Sequence, residues 1–248
     1  MALVNLITLN TDCQKYIINF IDEKSFINLV KVSKSLNNLS NCKPITNNYR
    51  LDKIKNVINV FIFTNIQYNQ ELFDPLLIPK TVKQLNFFDH FNSPFHNLPD
   101  SITFLRTGNW FNHSSFILPQ FLVELHLGSG FKQQLPLLPS TLKILMFSKI
   151  GKNNNALPHP LPQLTHLTLS DSFCQSIDDL PDSITNLQLG DEFKIAVNKW
   201  PKSLKTLRLP AYYQHKLINL PIGPIIVYTN ILQRHTEVNE NIIWKFLY

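Results

Sequence analysis

The sequence lacks the residue clusters that most site chemistry requires. Its three cysteines, Cys13, Cys42 and Cys174, stand far apart with no C-x-x-C pair. An odd count at that spacing suits neither a disulfide framework nor a zinc site, and it points to a reducing, cytoplasmic compartment. Charge is low, at 16% of residues, and the formal net charge of +6 is spread without a run of consecutive Lys or Arg. That argues against a nucleic-acid partner. The strongest apolar run, Val57 to Phe63, is too short to span a bilayer, and the first residues lack the basic flank and long apolar centre of a signal peptide. No membrane role is expected. There is no paired carboxylate, no phosphate-cradling glycine loop and no nucleophile motif. His126 and His166 lie a whole repeat apart, about 9–10 Å by strand spacing, so neither a metal, a cofactor nor an enzyme is expected.

What the chain does have is proline in register. Pro79, Pro99, Pro119, Pro139, Pro162, Pro181, Pro201 and Pro221 are separated by 20, 20, 20, 23, 19, 20 and 20 residues. An apolar residue precedes each. Leu85, Leu105, Leu125, Leu145, Leu187 and Leu207 follow six residues after their prolines, with Leu167 one residue early. Two residues further come Phe87, Thr107, Leu127, Phe147, Leu169, Leu189 and Leu209. A ring then recurs at Phe91, Phe111, Phe131, Phe173, Phe193 and Tyr213, with Gly151 the exception.

Each unit therefore reads L-P-x-x-L-x-x-L-x-L, a turn, and an aromatic. The L-x-L step has the period of a strand with both side chains facing inward. Proline cannot donate to a ladder, so it is expected outside the strand, in an extended return. Gly108, Gly128 and Gly190 directly follow their strands, where a positive φ is expected. The extra residues at Lys152-Asn153-Asn154-Asn155 predict an outward bulge. One unit cannot bury its apolar edge alone, but stacked units can, with strands pairing in parallel. The expected fold is an α/β solenoid, a leucine-rich-repeat-like array of about seven repeats, and so a binding surface.

The pattern resembles the FNIP repeat, a relative of the leucine-rich repeat common in social amoebae and in giant viruses of amoebae. Phe91-Asn92 and Phe111-Asn112 keep its Phe-Asn pair, whereas Phe131-Lys132 and Phe193-Lys194 depart from it. The phrasing is also similar to the short repeats of bacterial effector ligases. Those carry a separate domain with a catalytic cysteine, for which this chain has no room.

Residues 78–229 hold the repeats, and 46–77 read as a degenerate first unit with Ile54, Ile58, Phe61 and Phe63 as its inward residues. Ile225 to Tyr228 look like a last strand. Residues 230–248 read as a cap, a short helix carrying Ile242, Ile243, Trp244, Phe246 and Leu247. Residues 1–45 differ in kind. Cys13, Tyr16, Ile17, Phe20 and Ile21 recur at helical steps, Asp22-Glu23-Lys24 interrupt them, and Phe26, Leu29, Val30 and Val32 form a second run.

That segment resembles an F-box, a small helical module. Leu9-Asn10-Thr11-Asp12 stands for its opening, Ile17 to Ile21 for the first helix, and Asp22 for the turn. Phe26, Leu29, Val32, Ser33 and Lys34 stand for the second helix and its exit. Asn10 replaces the usual proline, and Leu36 the common tryptophan. The resemblance implies that Leu9, Asn10, Ile17, Ile21, Phe26, Leu29 and Val32 dock the Skp-type adaptor of a cullin-RING (SCF-type) ubiquitin ligase. The repeats would then hold a target protein, and the chain would perform no covalent step. The alternative is a standalone repeat scaffold in which residues 9–41 merely cap the solenoid.

The target is expected on the concave side, where residues flanking the inward leucine face solvent. Phe104, Arg106, Glu124, His126, Ile144, Met146 and His166 form the candidate face, a large aromatic and an arginine among adaptable apolar neighbours.

Overall fold

In the computed structural model the described residues are 11–32, 39–41, 43–55, 61–153, 155–210, 213–229 and 242–246. Among them the strands form a single parallel sheet in chain order, the sheet of a solenoid. The strands are β1 Tyr49–Arg50, β2 Asn65–Tyr68, β3 Gln84–Phe87, β4 Phe104–Arg106, β5 Glu124–Leu127 and β6 Ile144–Phe147, followed by β7 His166–Thr168, β8 Asn186–Gln188, β9 Thr206–Arg208, β10 Ile225–Thr229 and β11 Ile242–Phe246. Leu85, Leu105, Leu125, Leu145, Leu167, Leu187, Leu207 and Val227 pair in one continuous register, all buried. The solenoid extends beyond the eight proline-marked units at both ends, to β1 and β2 before them and β11 after.

The proline lies outside the strand, at the end of the stretch that returns to it. It opens a tight turn: the amides of Val82, Ile102, Leu122, Leu142, Ile184 and Leu204 each donate to the carbonyl of the proline three residues earlier. Proline needs no donor of its own at that position, and the turn swings the next apolar side chain inward, where all six are buried. In the shorter unit Leu164 reaches Pro162 directly, at 2.7 Å. A second turn follows the strand and seats the aromatic, for example Phe111 N–H to Gly108 O at 3.2 Å and Phe131 N–H to Gly128 O at 3.2 Å.

The rings stack as an internal spine. Phe91, Phe111 and Phe131 lie 6.3 and 6.1 Å apart with planes inclined by only 10° and 3°. Such pairs contribute about 0.5–1.5 kcal/mol beyond the area they bury. Gly151 interrupts the spine; Lys152 and Asn155 are exposed there, and Asn154 lies outside the described residues. Asn153 turns inward, only 3% exposed, its side-chain amide donating to Gln133 O while its own carbonyl accepts from Ser170 Oγ. A buried polar chain with its partners supplied costs little, so Asn153 can fold in beside the missing ring.

Neither Gly108, Gly128 nor Gly190 has positive φ. Their need is closeness: a Cβ on each would collide with the backbone of the preceding unit, at the carbonyls of Phe88, Gly108 and Ser170 respectively.

The degenerate first unit places its strand at β2, after Phe63, with Ile66 and Tyr68 as the inward pair. Phe61, Phe63 and Ile54 are buried, but ahead of the strand, and Ile58 lies outside the described residues. At the other end residues 242–246 form not a helix but β11, parallel to β10. The β-branched and aromatic run Ile242-Ile243-Trp244 favours a strand, and β10 offers an edge whose backbone groups it can satisfy.

Among the described residues two helices precede the sheet, α1 Thr11–Ile18 and α2 Glu23–Val32. Asp22 caps α2, its carboxylate accepting from Ser25 N–H at 2.9 Å. Ile18, Phe26, Ile27 and Val30 join the solenoid core, and Phe26 meets Phe61 edge to face at 5.6 Å. Among the described residues no helix is long and apolar enough to cross a membrane.

Candidate binding face

Strand pleating sends alternate side chains to the open side of the sheet in two rows. One row runs Gln84, Phe104, Glu124, Ile144, His166, Asn186, Thr206, Ile226. The other runs Asn86, Arg106, His126, Met146, Thr168, Gln188, Arg208, Tyr228. Each of these residues is exposed or half-buried, between inward neighbours that are buried. Phe104, Arg106, Glu124, His126, Ile144, Met146 and His166 therefore share one face, on four adjacent strands.

Their contacts knit the first part of that face together. Glu124 Oε1 lies 2.6 Å from His126 Nε2, and the Phe104 ring stands 5.0 Å from the imidazole. A hollow of about 400 Å³ opens beyond them, lined by Glu124, Ile144, Met146 and His166 and continuing over Thr168, Asn186, Gln188, Thr206 and Arg208 to Tyr228. A second hollow of about 270 Å³ adjoins it between Arg106, His126, Met146 and Lys149. The first is large enough for small-ligand or side-chain anchors. No group of three or more His, Cys, Asp or Glu among the described residues could hold a metal ion.

Thr168, Asn186, Gln188, Thr206, Arg208 and Tyr228 line the hollow without belonging to the candidate face expected from the sequence. Arg208 flanks the inward Leu207 and so falls on the same face, and Tyr228 ends the run that reads as a last strand. Counting one more unit beyond Arg208 would have found it, since Arg208 pairs with Tyr228.

The residues implied as an adaptor surface are dispersed. Ile17 is 36% exposed on α1, whereas Phe26 is fully buried against the solenoid and Ile21 and Leu29 are half-buried against the core. Leu9 and Asn10 lie outside the described residues, as do Ser33, Lys34 and Leu36, and the Val32 side chain is likewise not described. Phe20, which sequence reasoning placed on the first helix but not in the adaptor surface, is 75% exposed.

Polar contacts tie α1 and α2 to the chain that follows. The Glu23 carboxylate accepts from Thr46 N–H at 2.8 Å, Thr46 Oγ1 at 2.7 Å and Asn47 N–H at 3.0 Å. Burial pushes this carboxyl up, but those hydrogen bonds and the charge of Lys43 prevail and hold it below its ordinary value. Lys43 in turn donates to Ile18 O and Ile21 O at the end of α1, where a cation suits the helix dipole.

The architecture defines the class: a leucine-rich-repeat-like solenoid. Within that class, residues 175–212 match the FNIP Repeat family model. The chain is 29% identical over 156 residues to a FNIP repeat-containing protein of Dictyostelium discoideum, a stretch covering 53% of this chain and 43% of that relative. Its fold is similar to the crystal structure of CroV588, a circular LRR protein, with a TM-score of 0.53 and 24% identity over 73% of this chain and 33% of the other. The chain thus spans less than half the length of each.

Proposed function

We propose that the protein is an interaction scaffold that holds a protein partner on the open face of its sheet. The observation that supports this most is the hollow between Glu124 and Tyr228, where Ile144 and Met146 reach solvent beside charged and aromatic neighbours on a rigid ladder. Exposed apolar and aromatic groups on adjacent strands, with polar groups around them, make a site for anchor residues. The test is selection of a displayed random-peptide library on the immobilised full chain, with enriched peptides rechecked on variants. Ile144→Asp and Met146→Asp should abolish their binding, while Leu137→Asp, at an exposed position away from the hollow, should not. Enriched peptides indifferent to the first two changes would refute the proposal.

A second reading, recognition of ubiquitin-ligase targets with α1 and α2 docking a Skp-type adaptor, draws support from two exposed apolar residues, Ile17 on α1 and Phe20 in the turn after it. Their substitution tests it better than changes at Ile21 or Leu29, which pack on the core. Binding of purified adaptor that is lost in Ile17→Asp and Phe20→Asp would support this reading; no binding by the folded wild type would end it.

A further inference from the structure

The open face is not neutral. Among the described strands the formally cationic side chains are Arg50, Arg106, Arg208 and Lys245, and the single carboxylate is Glu124. That carboxylate is already engaged by His126. Lys83, Lys143 and Lys205, all exposed, stand one residue ahead of β3, β6 and β9. The repeats' other acids sit in turns: Asp89, Asp171, Asp191 and Glu192 after their strands, Asp178 and Asp179 ahead of Pro181, and Asp100 and Asp182 after their prolines. Several are spent on neighbouring units, as in Lys202 to Asp182 at 2.6 Å and Lys149 to Asp191 at 3.0 Å. No ion pair joins a carboxylate to Arg106 or Arg208 among the described residues.

Resting on the scaffold reading above, we infer that the partner segment is an acidic, extended peptide, one apolar anchor flanked by carboxylates, lying across the strands with the anchor in the hollow at Ile144 and Met146. The spacing follows from the ladder. Arg106 stands two strands before Met146 and Arg208 three strands after it. At about 4.8 Å per strand these are about 10 and 14 Å. An extended chain advances about 3.3 Å per residue, so the acids fall about three residues to one side of the anchor and about four to the other. Lys245, 5.8 Å from the Tyr228 ring, lengthens the positive strip beyond Arg208.

Nucleic acid is the other polyanion such a strip could hold. The face disfavours it: the arginines are five strands apart, about 24 Å, Glu124 stands between them, and apolar Ile144 and Met146 occupy the centre. Phosphate backbones are gripped by closely spaced cations.

The experiment reads the charge of the selected peptides, then titrates labelled synthetic copies by fluorescence polarisation. The expected result is Asp or Glu about three or four residues from an apolar anchor. Changing those acids to Lys should weaken binding to the wild type about tenfold, the effect of two exposed charge pairs at the upper end of their usual strength. The Lys version should recover on the Arg106→Glu, Arg208→Glu double variant, whose fold is checked by circular dichroism. Raising NaCl from about 0.05 to about 0.5 M should independently weaken the acidic peptide on the wild type. Peptides that need Ile144 yet ignore charge and salt would overturn this inference and leave the scaffold reading standing. Peptides independent of Ile144 would overturn both. Displacement of the acidic peptide by a single-stranded 20-nucleotide DNA that binds more tightly would overturn it in favour of nucleic acid.

Discussion

Asn92 and Asn112 show what the Phe-Asn pair of a repeat is for. Each asparagine follows a spine phenylalanine and accepts from the amide one unit on, Asn112 N–H at 3.0 Å and Lys132 N–H at 2.9 Å. Thr107 does the same from the inward column, its hydroxyl accepting from Gly128 N–H at 2.9 Å. Side chains thereby satisfy backbone donors that the short strands leave over. The glycines after the strands serve the same close stacking. Because steric contact sets their cost and φ does not, Gly108→Ala and Gly128→Ala should each destabilise the chain by about 1–3 kcal/mol, the usual cost of overpacking. Denaturant titration would check this; an unchanged midpoint would show that the units can spread. The glycine positions were legible in the sequence, but their reason was not. A turn glycine reads alike whether it serves φ or closeness, and only the neighbouring unit's backbone distinguishes the two.

At the scale of elements, the L-x-L strands and the aromatic spine could be read from spacing because every unit repeats the same side-chain demands. The ends could not, since each is met once. Ile242 to Phe246 fits a helical or an extended spacing equally, and pairing with β10 decides it. The N-terminal pair of helices was legible as helices; its attachment was not, because Glu23 bonds residues more than twenty positions away. A carboxyl held below its ordinary value stabilises the folded state above the unfolded value of about 4.5, and that contribution is lost as pH falls through the lower, folded value. The denaturation midpoint of the wild type should therefore fall between pH 6 and pH 3, and that of Glu23→Gln should fall less. Equal losses in the two proteins would show that Glu23 does not hold the helices in place.

At the scale of the whole molecule, the sequence foretold the face and its first four strands' worth of residues, from Phe104 to His166. It did not foretell the hollow that runs on to Tyr228 or the segregation of charge, both of which emerge only when units are stacked and turns are separated from strands. The central claim is that a partner lies across this open sheet. Photocrosslinking tests it directly: a selected peptide carrying benzoylphenylalanine in place of its apolar anchor is irradiated with the full chain, and the attachment site is mapped by mass spectrometry. Crosslinks within residues 104–106, 124–126, 144–146 and 166–168 are the predicted result. Crosslinks confined to the exposed apolar residues outside the sheet, such as Ile117 and Leu137, would contradict it.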